Sequence, residues 1–225
     1  LQAELGLPVF VENRGNAATL GIYECEYAGK SGDLIGIFIG GGIRSGMILG
    51  GNLFRGASGW AGEVGHMVLK RGGPKCRCGN NGCLEALASR AAILSRIQAG
   101  ASAGRRTILG EVAGHEIERA KNSDLRKALF RGDALVAESI LESAEYTGLA
   151  VASLANLFNP AVFVLGGGLI RALASEMVPV ILETVDQHVM PGTSKGLKIL
   201  VSDLDDHAGL LGAAAWARRN RLSKT

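Results

Sequence analysis

Four side chains near the middle of the chain have the types and spacing of a metal set. His66, Cys76, Cys78 and Cys83 follow the pattern H-x9-C-x-C-x4-C. Three thiolates and one imidazole make a closed tetrahedral zinc set of the structural type, with no position left open for a substrate. Lys70 to Pro74, Lys-Arg-Gly-Gly-Pro, is turn-prone, and Gly79 and Gly82 permit the tight turns that bring sulfurs together. Three cysteines lie within eight residues of a chain that has only one other, Cys25. Such clustering without a disulfide framework fits a metal in a reducing compartment, and so a cytoplasmic protein. Cys25 reads as an ordinary buried thiol. His115, His188 and His207 have no ligand-spaced partners and read as structural or surface residues.

Two glycine runs form the second candidate chemistry. The chain has 33 glycines in 225 residues, roughly twice the usual share of ~7%. There is no Gly-X-Y period, and the runs alternate with apolar stretches, so collagen and a disordered linker are both excluded. Gly40, Gly41 and Gly42 follow an apolar strand and precede Met47-Ile48-Leu49, which reads as a returning strand. A Rossmann fingerprint needs a helix there. The run therefore fits a hairpin turn, either a simple one or one whose backbone N–H groups cradle a phosphate. Gly166, Gly167 and Gly168 lie between a strand and a helix, and fit a packing turn or a close approach to a nucleoside equally well.

The elements that must position these groups can be read from periodicity. A short helix at Gln2 to Leu5 leads to a strand at Pro8 to Val11, and Asn16 to Glu24 reads as a helix. Leu34 to Ile39 is a continuous apolar strand. Cys83 to Gln98 has helical spacing, with Leu84, Leu87, Ala91, Leu94 and Ile97 on one face. A polar helical stretch covers Glu111 to Arg131. Asp133 is placed to cap a long helix from Ala134 to Phe158, stopped by Asn159-Pro160. Ala161 to Leu165 and Leu197 to Val201 read as strands, with a helix at Leu169 to Gln187 and a small-residue helix at Ala208 to Ala217. The result is a mixed α/β fold with hairpin and crossover connections. No apolar run approaches the ~20 residues of a membrane span, and no stretch reads as a signal peptide. The net charge of +3 does not imply nucleic acid, and Arg218-Arg219-Asn220-Arg221 reads as a frayed, solvated end.

Taken together, Gly56-Ala-Ser-Gly-Trp-Ala-Gly-Glu63-Val-Gly-His66 and Cys76-Arg-Cys-Gly-Asn-Asn-Gly-Cys83-Leu-Glu85 strongly resemble the ROK family of repressors, open reading frames and sugar kinases. Val9-Phe-Val-Glu12-Asn13 and Asn159-Pro-Ala-Val-Phe-Val-Leu-Gly-Gly-Gly168 match it too. The likeness covers nearly the whole chain and is nearest to bacterial glucokinase-type members. It implies an α/β actin-like ATPase (ribonuclease H-like) fold with an inserted zinc loop, and sugar and ATP held between two lobes. Family members carry an Asp-x-Gly-Gly-Thr phosphate motif upstream, which is not found here. The resemblance therefore implies that residues 1–225 form the C-terminal lobe plus hinge, with the zinc segment at 66–83 and an adenosine-motif region at 134–225. Asn13, Glu63, His66 and Glu85 would bind sugar hydroxyls, which need several directed hydrogen bonds. His66 would bind metal through one ring nitrogen and sugar through the other. For Glu85, a favourable charge in the first turn of a helix is the competing explanation. Gly40 to Gly42 and Gly166 to Gly168 would contact ATP and Mg²⁺, and a homodimer is implied.

The departures matter as much. In the family's kinases the Glu-Asn pair is followed by an aspartate, the general base for the sugar hydroxyl; here that position is Arg14. A guanidinium stays protonated at physiological pH and accepts no proton. The phosphate turn has Gly41 in place of a threonine, and Arg44 and Ser45 in place of two glycines. These side chains would crowd a tight turn, although Arg44 has the geometry to pair with a phosphate. Three functions follow: a sugar kinase lobe with phosphoryl transfer lost, a sugar-responsive regulator whose DNA-binding part lies outside this sequence, and a noncatalytic module for an anionic sugar that uses Arg14.

Overall fold

The computed structural model describes residues 1–27, 32–204 and 206–222. The first elements are α1 (Gln2–Leu5) and α2 (Arg14–Glu26). They precede a hairpin of β1 (Leu34–Ile39) and β2 (Ile43–Leu49), followed by β3 (Asn52–Leu53). Then come α3 (Leu84–Ala88), α4 (Arg90–Ser102), α5 (Leu109–Ala113), α6 (Asn122–Phe130) and α7 (Ala134–Phe158). The chain closes with β4 (Val162–Gly166), α8 (Gly168–His188), β5 (Lys198–Val201) and α9 (His207–Leu222). The sheet order is β3-β2-β1-β4-β5. β1 pairs with β4, and β4 with β5, in parallel, whereas β2 is antiparallel to β1.

Strand alternation sends side chains to two cores. Leu34, Val162 and Val164 join Leu20, Ile22 and Ala208 under α2 and α9. Ile35, Ile37, Ile39, Phe163 and Leu165 face the other way, onto a larger core with Ile93, Val151, Leu154 and Leu169. Both faces of β1 and β4 are covered, which is why they read as unbroken apolar runs, whereas the edge strand β5 is mostly exposed.

The long helix α7 begins and ends where its cap and stop signals place it. Asp133 is its N-cap, and Oδ1 accepts from the backbone N–H groups of Leu135 and Val136 at 3.1 Å each. Oδ2 accepts from Thr107 Oγ1 at 2.6 Å and Ile108 N at 2.8 Å, so one buried carboxylate also ties down the approach to α5. Asp133→Ala is expected to lower unfolding stability by about 2–4 kcal/mol, combining a lost cap with buried donors left unpaired. Urea denaturation of the variant beside Asp133→Asn would check this, the asparagine keeping the cap and losing less.

Several expectations fail locally. Pro8 to Val11 is not a strand: it joins neither sheet edge, and Val11 is exposed. A strand needs a ladder partner, and periodicity cannot supply one. The helix expected over Cys83 to Gln98 is broken at Ser89, whose extended backbone (ψ 163°) ends α3 and whose Oγ accepts from Ala92 N to start α4. The restart shifts the phase, so Ala91 is exposed while Ala92 and Ile93 are buried. Glu111 to Arg131 divides into α5's end, a 3-10 turn at Ile117–Arg119, and α6. Cys25 is exposed, because it lies on the solvent side of α2.

Two of the C-terminal arginines are held rather than frayed. Arg218 and Arg219 both pair with Glu24 on α2, at 2.8 and 2.6 Å, and Arg219 also donates to the Gly51 carbonyl. No helix among the described residues is long and apolar enough to cross a membrane.

Candidate functional site

The Cys/His set closes as its spacing requires. One ligand atom from each of His66, Cys76, Cys78 and Cys83 lies within 4.8 Å of all the others. Cys76 Sγ is 3.6 Å from His66 Nδ1, and Cys78 Sγ is 3.6 Å from Cys83 Sγ. The edge of a tetrahedron built on Zn–S of about 2.3 Å and Zn–N of about 2.0–2.1 Å is about 3.5–3.8 Å, so the donors fit zinc. A disulfide is excluded, since all the cysteines are free and an S–S bond is about 2.05 Å.

Backbone bonds make the loop a compact knuckle. Leu69 N and Lys70 N both donate to Gly82 O, Gly82 N donates to Pro74 O, and Cys76 N donates to Asn80 O. Gly82 has φ +75°, and a Cβ there would collide with the Lys70 carbonyl, so only glycine fits.

Without a cation the thiols are unequal. Burial pushes Cys83 up to about 12, aided by its contacts with Cys78 and Cys76, while a bond from the Asn80 backbone holds Cys78 below its ordinary value. A divalent cation bound here would have to expel the Cys83 proton, so its binding would weaken as pH falls.

The polar residues expected to bind sugar are gathered around the start of β2. Asn13 is the N-cap of α2; its Oδ1 accepts from Gly15 N at 2.7 Å, and its Nδ2 donates to Glu63 Oε1 at 3.3 Å across fifty residues of sequence. Glu63 opens the 3-10 turn Val64–His66, and His66 N donates back to its carbonyl. Glu63 and His66 are thereby one rigid unit. Glu85, in the first turn of α3, accepts from the Ile43 N–H at 2.8 Å. Gly65 packs against the Ile43 carbonyl, where a Cβ would come within 2.8 Å. Asn13 and Glu63 thus meet directly, His66 turns its Nδ1 to the cysteines, and Glu85 braces the glycine turn. Arg14 is exposed at the first helical position of α2 and makes no side-chain hydrogen bond or ion pair among the described residues.

Glu12, to which the sequence assigned no role of its own, and Ser45, which it placed in the phosphate turn, support this cluster. The Glu12 side chain is only 5% exposed: its Oε1 accepts from Asn13 N and Asn16 Nδ2, and its Oε2 pairs with Arg55 at 2.9 Å. The Arg55 guanidinium lies 5.3 Å from the Trp216 ring on α9, tying the segment before Asn13 to the far end of the chain. Ser45 is the other. It lies inside β2 rather than in the turn, and its hydroxyl donates to Gly62 O and accepts from Val64 N at 3.1 Å. Arg44 is likewise a strand residue, exposed, so neither side chain crowds the turn.

The glycine runs sit side by side at the carboxyl ends of the parallel neighbours β1 and β4, since Phe38 pairs with Gly166. Open α/β sheets bind ligands at that edge. Packing accounts for four of these glycines. A Cβ on Gly42 would meet Glu85, on Gly166 the Phe38 ring, on Gly167 the Ile39 backbone, and on Gly168 the Asn122 amide. Gly40 and Gly41 meet nothing closer than 3.6 Å. A cleft of about 530 Å³ opens beside Gly168, lined by Asn122, Ser123, Arg126, Phe130 and Arg171.

A family model described as "ROK family" matches residues 1–220. The chain is 35% identical over 224 residues to a xylose repressor of Caldicellulosiruptor bescii, covering 99% of this chain and 55% of that one. It is 32% identical to a glucokinase of Halalkalibacterium halodurans, covering 99% and 67%. In structure it superimposes with TM-score 0.85 and 31% identity on a ROK family glucokinase from Streptomyces griseus in complex with glucose and AMPPNP, covering 97% of this chain and 70% of that one. The chain thus spans between about half and about two thirds of the length of these relatives. The mixed sheet and its covering helices are those of the actin-like sugar-kinase fold.

Proposed function

The chain belongs to the ROK family, and from that premise we propose that it is a sugar-kinase-type lobe that holds zinc and binds a hexose without transferring phosphate by itself. The observation that carries the reading is the Asn13–Glu63 hydrogen bond beside a histidine aimed at three cysteines. An amide, a carboxylate and an imidazole on one rigid unit offer both donors and acceptors, which is what neighbouring hydroxyls of a sugar ring require. His66, Cys76, Cys78 and Cys83 would hold the zinc, which has a structural role and fixes the imidazole plane. Glu85 would present its free oxygen to the same sugar. The knuckle at residues 66–83 and the region 134–225 belong to this one lobe.

Phosphoryl transfer is expected to fail at Arg14. A sugar hydroxyl must lose its proton as it attacks, and a guanidinium, protonated throughout, has no site to receive that proton. Loss of a general base costs about 10²–10⁴-fold in rate. A nucleotide with Mg²⁺ would approach the glycine turns at the ends of β1 and β4, where Gly40 and Gly41 are the two of the six that no protein atom crowds, and hexose binding does not require one.

Calorimetry with glucose and a coupled ATP–glucose assay on the same sample would test both halves. Saturable glucose binding, lowered at least about tenfold (~1.4 kcal/mol) in Glu63→Gln, is expected, with turnover below about 1 s⁻¹, the lower end of ordinary kinases. Absence of glucose binding would remove the hexose reading, and turnover at or above that rate would remove the loss of catalysis.

A second reading, an effector-binding lobe of a sugar-responsive regulator, is favoured by the 35% identity to a xylose repressor. Tighter binding of xylose than of glucose in the same titration would support it. Glucose 6-phosphate is the third ligand to include, because Arg14 stands exposed beside Asn13 with no ion pair among the described residues. Equal or weaker binding than glucose would discard an anionic sugar.

A further inference from the structure

Several arginines of this fold are matched to carboxylates: Arg55 to Glu12, Arg96 to Glu142, Arg105 to Glu138, and Arg218 and Arg219 to Glu24. The Cys/His knuckle is different. Lys70, Arg71, Lys75 and Arg77 are all exposed, and none has an ion pair or side-chain hydrogen bond among the described residues. No acidic residue occurs between Glu63 and Glu85, and those two carboxylates are engaged by Asn13 and by the Ile43 N–H.

The four cations thus form no ion pair among the described residues, and they stand on a small, stiff body. Its stiffness comes from the crossing backbone bonds among Leu69, Lys70, Gly82, Pro74, Cys76 and Asn80. Beside it, a cleft of about 160 Å³ separates the knuckle from α3 and α4, lined by Gly41, Lys75, Arg77, Glu85, Ser89 and Ser95. Lys75 and Arg77 thus stand at the wall of a recess, while Lys70 and Arg71 extend the positive face around the turn.

We propose that the knuckle is a docking knob for an acidic segment of a partner protein, its carboxylates meeting the exposed Lys75 and Arg77 at the rim of the recess, outside Glu85, and Lys70 and Arg71 around the turn. Charge complementarity favours such a partner, and a rigid loop loses little entropy on binding. A nucleic acid fits less well. Residues 67–83 include no aromatic side chain on which a base would stack, and the knuckle has no helix or strand ribbon to enter a groove.

The test uses the whole chain, its zinc content measured, and a fluorescein-labelled oligoglutamate peptide followed by anisotropy at two salt concentrations. Binding is expected to be saturable and salt-sensitive. Lys75→Glu with Arg77→Glu should weaken it at least about tenfold, as should Lys70→Glu with Arg71→Glu, a pair that does not flank a cysteine. Lys195→Glu with Lys198→Glu changes the net charge equally on an exposed edge elsewhere and should leave binding within about twofold. The proposal fails if the control pair weakens binding as much as the knuckle pairs do, or if neither knuckle pair that retains zinc and fold changes it. It also fails if a DNA duplex binds more tightly than the peptide with the same sensitivity to the knuckle substitutions, which would assign the face to nucleic acid.

Discussion

Cys83→Ser is expected to strip the chain of zinc and to cost about 4 kcal/mol or more of stability, the linkage contributed by a ligand held at a thousand times its dissociation constant. Burial is the origin of the effect. Cys83 is fully buried, and its backbone precedes α3 directly, so its sulfur stands where the knuckle joins the helix that carries Glu85. A serine hydroxyl is a poor zinc ligand and would be left in a site that burial already makes hostile to a charge. Three remaining donors leave an open coordination position in what is otherwise a closed structural set. Metal analysis should fall from one zinc per chain to near none, and thermal unfolding should show the loss. Cys25→Ser serves as the control, since Cys25 is exposed and outside the set. A chelator should reproduce the effect on the parent and add nothing to Cys83→Ser. Zinc titration of metal-free protein should release protons and weaken as pH falls, because the high-lying Cys83 thiol must give up its proton. A variant that keeps full zinc and full stability would refute the metal set.

The second large effect lies at the crossing of α2 and α9. A methyl on Gly212 would collide with the Ala17 carbonyl oxygen, and one on Gly21 with that of Ala208. The two backbones touch because neither residue has a side chain. Gly212→Ala must therefore push the helices apart, breaking the contact that covers Leu20, Ile22 and Val164. The expected loss is about 3 kcal/mol or more, at the upper end of overpacking costs. Gly209, about one turn earlier on the same helix, has open space within 4 Å of where a Cβ would stand, and Gly209→Ala should stabilise by about 0.5–1 kcal/mol through helix propensity. The same chemical change with opposite signs is a sharp outcome, read by urea denaturation. A functional consequence follows. α9 reaches Glu12 through Trp216 and Arg55, so Gly212→Ala should also loosen Asn13 and weaken any sugar bound there.

What was legible in the sequence was what depends on local spacing or local chemistry. Leu34 to Ile39 and Ala134 to Phe158 form the expected strand and helix to the residue. The first is a buried apolar run; the second has an aspartate cap and an Asn-Pro stop. The Cys/His spacing likewise pointed to one set of four side chains, and those four are brought within 4.8 Å of one another. Arg14 could be read as unable to serve as a base because protonation is a property of the side chain itself.

Tertiary contacts decided the rest. Pro8 to Val11 has strand-like residues but no neighbour to pair with. The arginines at 218 and 219 look solvated until α9 lies along α2 and brings Glu24 to them. The less conspicuous cations at 70, 71, 75 and 77 become the exposed positive face, because the fold gives them no ion pair among the described residues. The excess of glycine was ambiguous for the same reason. Whether a glycine serves a ligand or a close backbone depends on what stands opposite it, and that is fixed by packing between segments far apart in the chain. By itself the sequence determined the Cys/His set, the main helix and strand, and a permanent cation at position 14. Only the tertiary structure decided which charges are neutralised and which glycines are already filled by the protein, since electrostatic and steric partners are set by distance in space.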